Sequence, residues 1–409
     1  MKIPQGLDPR LWRVLGGVFV SFLGVGLTLP FLLVYLSQVR GMSVSTAALV
    51  LAWMSLVALA TTPLSGRLID RKGPWIVLLV GLAVAGLGAV GLAFTTTLMT
   101  ALVTTALNAV GWTTAAAAET TLLSRLAKDA AKEWVFGGQY IVSSAGIGIG
   151  ALIAGLVVNT TKPASFQLIY LVDGITYLAY AGVLLSMPLV GNLTDDDVAH
   201  DGDQKFREVL RDTKYRRFLV ILIIVFICTT GQIDSGLPAY ATQVADVSPR
   251  VLGFAFVANT LLVVVGQLLL IPSLVGRGRS RLLAFGGLIW ACSWLVIGAS
   301  GLASGTLLAG ALIIGGLMVF SFGEILAAPI APALVNDMAP ERLRGSYNAA
   351  YGLTFSLGSL FGPLITAVTI GTGHANVWVL LVSVGCLTAG LMMWRFGRVL
   401  TPAENGYQS

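Results

Sequence analysis

Charge is what this chain lacks most. Only 11% of its 409 residues are charged, against about 25% in soluble domains, while 56% are hydrophobic and the mean hydropathy is +0.86. That balance excludes a soluble globular fold. Cysteine is also scarce: Cys228, Cys292 and Cys386 each sit inside an apolar run, which excludes a disulfide framework and a CxxC metal site. The two histidines, His200 and His374, fall in loops, so neither a histidine metal cluster nor a buried relay is available. No P-loop, GxSxG or HExxH motif is present, which excludes an ATP-driven pump and a recognisable hydrolase. The sequence therefore reads as a non-enzyme with no metal and no bound cofactor.

What the chain has instead is long apolar runs. They last about 20 residues or more, too long for the alternating segments of about 10 residues in a membrane β-barrel. Twelve spans are predicted, at 13–37, 45–66, 75–97, 99–124, 136–158, 166–188, 217–242, 250–274, 281–301, 304–336, 345–370 and 374–396. The polar stretch Met1–Arg13 precedes a run too long for a signal-peptide core, so that run is read as the first span. The expected fold is all-α and integral to the membrane.

The halves repeat each other, as in many secondary transporters. A shift of 212 places Leu122 on Leu334, Leu126 on Met338, Ala127 on Ala339, Asp129 on Glu341, Lys132 on Arg344, Gly146 on Gly358 and Gly150 on Gly362. Gly26-Leu27-Thr28-Leu29-Pro30 matches Asp234-Ser235-Gly236-Leu237-Pro238 at a shift of 208. The expected organisation is a six-helix bundle over 1–188, a cytoplasmic linker over 189–216 and a second six-helix bundle with a short tail over 217–409. The linker carries Asp195–Asp197 and then six Lys or Arg residues. It is read as a solvated connection, with an amphipathic helix over 204–216.

Of the 25 Lys and Arg residues, 22 fall on the side that holds both termini and three (Arg40, Lys162, Arg250) on the other. The positive-inside rule then makes both termini cytoplasmic, with the chain in the cell membrane. This placement also explains the basic pI without nucleic acid.

One carboxylate, Glu324, lies inside an apolar run, where a charge costs roughly 2.5–3.5 kcal/mol by insertion scales and is usually kept for function. At 1.5 Å per residue, Glu324 is roughly 18 Å from the cytoplasmic end of its span and Asp234 roughly 24 Å from that of its own. Glu119 is about 8 Å from the inner edge, near Arg125, and Asp173 about 10 Å below the outer edge. Glu119 is open between a proton-handling role and a structural one, pairing with Arg125 or facing water. Asp173 is read as a capped or snorkelling acid near the interface.

The loop Gly66-Arg67-Leu68-Ile69-Asp70-Arg71-Lys72-Gly73 resembles the major facilitator superfamily signature G-x-L-x-D-R-x-G, with Pro74 replacing the usual basic residue. Gly66 and Gly73 would permit a tight turn, and Asp70, beside Arg71, would cap a helix N-terminus or pair with a cation on a neighbouring helix, latching the cytoplasmic face as a gate. The string Gly323-Glu324…Pro329…Ala339-Pro340-Glu341-x-x-Arg344-Gly345-x-Tyr347 is similar to spans 10–11 of the twelve-helix multidrug–proton antiporter branch, as is Asp234 before its Leu-Pro. The resemblance implies the major facilitator fold and proton-coupled drug efflux, with Asp234 and Glu324 as the proton and cation acids. It also implies that spans 1, 2, 4, 5, 7, 8, 10 and 11 line the cavity. Two departures stand out. Leu107 occupies the position of a span-4 arginine common in relatives, and Ala151 stands where a span-5 proline is expected, the Gly-Pro appearing instead as Gly362-Pro363. Gly146, Gly150, Gly362 and Pro363 are either close packing or a rocking hinge.

Cavity-facing spans then offer Tyr35, Trp53, Trp112, Tyr140, Phe254, Phe322, Tyr351 and Phe355, with Gln139, Gln232, Asn259 and Asn348 as polar groups. Aromatic walls around a buried carboxylate suit lipophilic cations, although each aromatic alone has packing as its plainer role. Proton and cation competing for one carboxylate suffices for antiport. The expected energy source is the proton gradient, and the expected partners are small lipophilic substrates, protons and membrane lipids, with the chain a monomer. Two alternatives stay open: export of a single metabolite, lipid-linked sugar or self-made antibiotic, and a non-transporting membrane receptor.

Overall fold

The computed structural model describes residues 8–127, 132–187, 208–274, 277–340 and 343–407. Twelve long helices order the chain: α1 Pro9–Thr28, α2 Val44–Lys72, α3 Pro74–Ala93, α4 Leu98–Leu126, α5 Lys132–Val157, α6 Pro163–Leu185, α7 Thr213–Cys228, α8 Pro249–Leu274, α9 Arg279–Ala299, α10 Leu307–Met338, α11 Arg344–Val368 and α12 Ala375–Phe396. Among the described residues, eleven segments are long and apolar enough to cross a membrane. The exception is α4. Its 29 residues suffice in length, but they are rich in Thr and Ala, so the helix is less apolar than the other spans. Residues 188–207, most of the linker expected over 189–216, lie outside the described residues, as do 128–131 and the charged pair Glu341-Arg342; of the helix expected over 204–216, residues 208–211 are helical and α7 follows from Thr213.

Helix starts are set by short polar side chains that satisfy free amides. Asp8 Oδ1 accepts from the Arg10 amide at 2.9 Å, and Asp212 Oδ1 accepts from the Lys214 and Tyr215 amides at 2.9 and 3.0 Å. Thr97 caps α4 from the Thr100 amide at 3.2 Å, and Thr306 caps α10 from the Ala309 amide at 3.3 Å. One Asp cap and one Thr cap thus recur in each half.

The chain divides into two compact units, Met1–Met42 with Trp53–Val198, and Ser43–Ala52 with Ala199–Ser409. In the first, α1 packs on α5 and α6, and α3 packs on α4 and α6. Its core includes Leu15, Val18, Leu78, Leu82, Leu122 and Tyr180. In the second, α7 packs on α11 and α12, α9 on α10 and α12, and α8 on α10. Its core includes Phe218, Leu222, Leu334, Val335, Tyr347 and Phe396. Long apolar side chains such as Leu87, Leu178, Leu269 and Leu380 remain exposed on the helix surfaces, as contact with lipid requires.

Glycines set the closest approaches. A Cβ on Gly146 would lie 2.8 Å from the Phe19 carbonyl oxygen, and one on Gly150 would lie 2.2 Å from that of Leu23. Their repeat partners behave alike: a Cβ on Gly358 would lie 2.4 Å from Phe226 Cβ, and one on Gly362 would lie 2.4 Å from Gly231 Cα. Each set lets two helix backbones touch. The repeat found by alignment is therefore a repeat of packing.

The spans expected at 13–37 and 217–242 are not continuous helices. α1 stops at Thr28, followed by a 3-10 turn at Leu29–Phe31 holding Pro30 and a π-turn at Tyr35–Val39. α7 stops at Cys228, where Thr229 has φ −117° and ψ −90°. Two short helices, Thr230–Ile233 and Gly236–Gln243, complete the span. Proline lacks an amide donor and disfavours a preceding helical turn, so Pro30 and Pro238 tolerate these interruptions where a helix interior would not.

Candidate transport site

Glu324 is half-buried on α10 and is held from α8. Asn259 Nδ2 donates to Glu324 Oε2 at 2.7 Å and to Ser321 Oγ at 2.9 Å. Ser321 and Glu324 stand three residues apart, on one face of α10. Gly323 faces the other way, because a Cβ there would lie 2.4 Å from Trp290 Nε1 on α9. The carboxylate is therefore aimed away from α9, against α8. No Lys or Arg pairs with it among the described residues.

In the same unit, Phe322 on α10, Phe254 on α8 and Phe355 on α11 are exposed, and Tyr351 is half-buried. Phe226 meets Tyr351 and Phe355 edge-on, with centroids 6.0 and 5.5 Å apart. Asn348 Nδ2 donates to Asn336 Oδ1 at 2.8 Å, tying α11 to α10.

Asp234 lies in the interruption after α7, between the two short helices. It is half-buried and makes no hydrogen bond or ion pair among the described residues. Gln232, two residues earlier, is fully buried and committed to the fold. Its Nε2 donates to the Ile227 and Gly362 carbonyls at 2.9 and 3.2 Å, and its Oε1 accepts from Trp378 Nε1 at 2.7 Å and Thr366 Oγ1 at 3.2 Å. Its place in the expected substrate site is corrected accordingly: all its polar capacity goes to bracing the broken helix.

In the first unit, Glu119 on α4 is buried and accepts from Gln139 Nε2 on α5 at 2.7 Å. The expectation that it could face water is corrected. Tyr140, next to Gln139, is exposed. Trp53 donates from Nε1 to the Leu102 carbonyl at 3.0 Å, and Ser65 shares a 3.0 Å hydrogen bond with Thr114, so α2 rests on α4 through side chains. Tyr35, expected to meet substrate, is fully buried. Its hydroxyl donates to the Leu92 carbonyl at 2.7 Å, its ring packs on Phe166 and Tyr170, and Arg40 lies over it. Trp112 packs edge-on against Phe22 and Tyr177 at 5.0 and 6.2 Å.

Asp173 also departs from expectation. It is 3% exposed, deep against α1 rather than snorkelling, and Thr28 Oγ1 donates to its Oδ2 at 3.0 Å. The loop signature is local helix chemistry. Gly66 is helical, inside α2, and only Gly73, at φ +79°, makes the turn into α3 with Pro74 in its first turn. Asp70 and Arg71 are exposed, and Asp70 caps no helix. Pro363 is buried within α11, which continues to Val368.

The structure adds Ser321, Asn336, Thr366, Trp378, Thr28 and Tyr170 to the polar framework. Only the matched Pro30 and Pro238 carried a signal for it, as matching helix breakers in corresponding spans.

A sequence profile described as Major Facilitator Superfamily matches residues 14–363 and 237–408. An uncharacterized MFS-type transporter, YqjV of Bacillus subtilis (strain 168), is 24% identical, over 97% of this chain and 95% of its own length. Multidrug resistance protein 2 of the same organism is 26% identical, over 87% of each chain. The crystal structure of a peptide transporter POT in complex with sulfate superimposes with a TM-score of 0.79 at 17% identity, over 98% of this chain and 97% of that one.

Proposed function

Because the chain belongs to the major facilitator superfamily and is thus a secondary transporter, we propose that it is a proton-coupled antiporter that exports lipophilic, cationic compounds by alternating access. In this reading it sits in the cell membrane with both termini cytoplasmic. The observation that carries the proposal is Glu324, a carboxylate within an apolar span, hydrogen-bonded by Asn259 and paired with no cation among the described residues. Such a group favours its neutral form away from water and its charged form beside a cation or water. It can therefore exchange a proton for a cationic substrate. Exposed Phe254, Phe322 and Phe355, with Tyr351, supply the apolar and π surfaces that a lipophilic cation prefers. Asp234, without a partner in its helix break, is the second proton carrier in this scheme, and Glu119 with Gln139 the third. The 26% identity to a protein named for multidrug resistance supports the substrate class.

The test is efflux from proteoliposomes under an imposed pH gradient, with a panel of chemically diverse cationic dyes. Gradient-driven export of several dyes is expected. Flux of a single compound only would favour the single-metabolite exporter instead, and flux that ignores the gradient would remove the proton from the mechanism.

A further inference from the structure

Asp173 is a buried acid outside the transport scheme, and it borders a cavity within the first unit. The cavity measures ≈ 50 Å³, and its polar lining comes from Thr28, Asn108, Tyr170, Asp173 and Tyr177, with Trp112 among the apolar walls. Two of these oxygens are buried and make no hydrogen bond: Asp173 Oδ1 and the Tyr170 hydroxyl. Asp173 and Tyr170 are only 3% and 1% exposed. Buried polar atoms are rarely left unpaired, and an isolated buried carboxylate is costlier still. Space is kept for the carboxylate, since a Cβ on Gly24 would lie 2.3 Å from Oδ1.

No cation answers this charge. Asp173 makes no ion pair among the described residues. Arg40, on the far side of the aromatic layer, spends Nε on the Tyr35 hydroxyl at 2.8 Å and Nη2 on the Ala93 carbonyl at 2.9 Å. The other titratable groups facing this region, Tyr35, Tyr170 and Tyr177, are neutral phenols.

We propose that this cavity is a binding site for one small monovalent cation of sodium size, with the Asp173 carboxylate and the Tyr170 hydroxyl as its principal ligands, beside Thr28 at the interruption of α1. The charge count selects the valence. One carboxylate among neutral oxygens balances one positive charge, whereas calcium takes six to eight oxygens, usually from several carboxylates. No group of three or more His, Cys, Asp or Glu capable of holding a metal exists among the described residues. At about 10–15 Å³ for each water-sized probe, the volume admits an ion with two or three waters. A proton alone would neutralise Asp173 but would leave the Tyr170 hydroxyl as it is, buried without a hydrogen bond. A coordinated ion gathers both.

The site is tested on the purified full-length protein by thermal unfolding in sodium chloride against choline chloride at equal ionic strength, together with binding of radioactive sodium. Sodium should raise the melting temperature saturably, and choline should not. Asp173→Asn should abolish both effects, and Tyr170→Phe, which keeps the ring, should weaken sodium binding by roughly tenfold. Glu324→Gln should leave the sodium response intact, which separates this site from the transport acid. Equal stabilisation by choline, an unchanged sodium response in Tyr170→Phe, or stability that follows pH but not sodium would each overturn the proposal. Should Asp173→Asn fail to fold, the Tyr170→Phe arm decides.

Discussion

Asn259 reaches from α8 to Glu324 on α10 with a 2.7 Å hydrogen bond, and the same amide nitrogen also holds Ser321. Residues joined this way act as a unit, so their substitutions should not add. Glu324→Gln is expected to abolish gradient-driven export with normal expression. Asn259→Ala should slow it markedly, and the double variant should lose no more than Glu324→Gln alone. Initial efflux rates in proteoliposomes measure the cycle. Unchanged uphill transport by Glu324→Gln would remove Glu324 from coupling.

The glycine contacts predict a sharp contrast along one helix. Gly362→Ala places a Cβ 2.4 Å from the Gly231 backbone, so α11 and the broken end of α7 must separate. Overpacking of this kind typically costs about 1–3 kcal/mol. Gly352→Ala, on the same helix with nothing within 4 Å of its Cβ, should be neutral or stabilising by up to about 1 kcal/mol. Thermal melts of the two purified variants check the ordering.

Gln232 predicts a loss of stability rather than of affinity. Gln232→Leu strands the fully buried Trp378 indole nitrogen, at about 1–3 kcal/mol for a buried polar group left unpaired. The variant should melt well below the wild type while its surviving fraction binds substrate normally. A wild-type melting temperature with weakened binding would return Gln232 to the substrate site.

The tail offers a pH signature. Burial pushes the Glu404 carboxyl up, but Lys214 and the Thr401 amide and hydroxyl together hold it below its ordinary value. A carboxylate held low in the folded state adds stability that is full above the unfolded value of about 4.3 and fades as pH falls through the lower folded value. Glu404→Gln should therefore lower the melting temperature at pH 7, by an amount on the order of 1 kcal/mol. That gap should close below about pH 4.

The helical membrane fold, the two-fold repeat and the exceptional position of Glu324 were legible because each is a property of composition or spacing. Glycine pairs at a shift of 212 survived into three dimensions because backbone contact admits no other residue. The polar framework was not legible in the same way. Being on a cavity-facing span does not say which way a side chain turns, so Tyr35 and Gln232 looked available although packing encloses both. Asp173 was read as able to snorkel because depth along a helix says nothing about the partner helix, here Thr28 and Gly24 of α1. The span predicted at 99–124 is α4, the least apolar of the twelve, and its threonines return their hydroxyls to their own helix, as Thr105 does to Ala101 at 2.6 Å.

The interruptions in α1 and α7 carry one more consequence. At the shift of 208, Gly24 corresponds to Gln232, and each meets the last helix of its own half: Gly24 beside the Asp173 carboxylate of α6, Gln232 bonded to the Trp378 indole of α12. The bend is common to both copies, whereas the chemistry bracing it is not. A duplicated ancestor would already have possessed the bend, and its two descendants then furnished it separately, one with an acid and one with an amide.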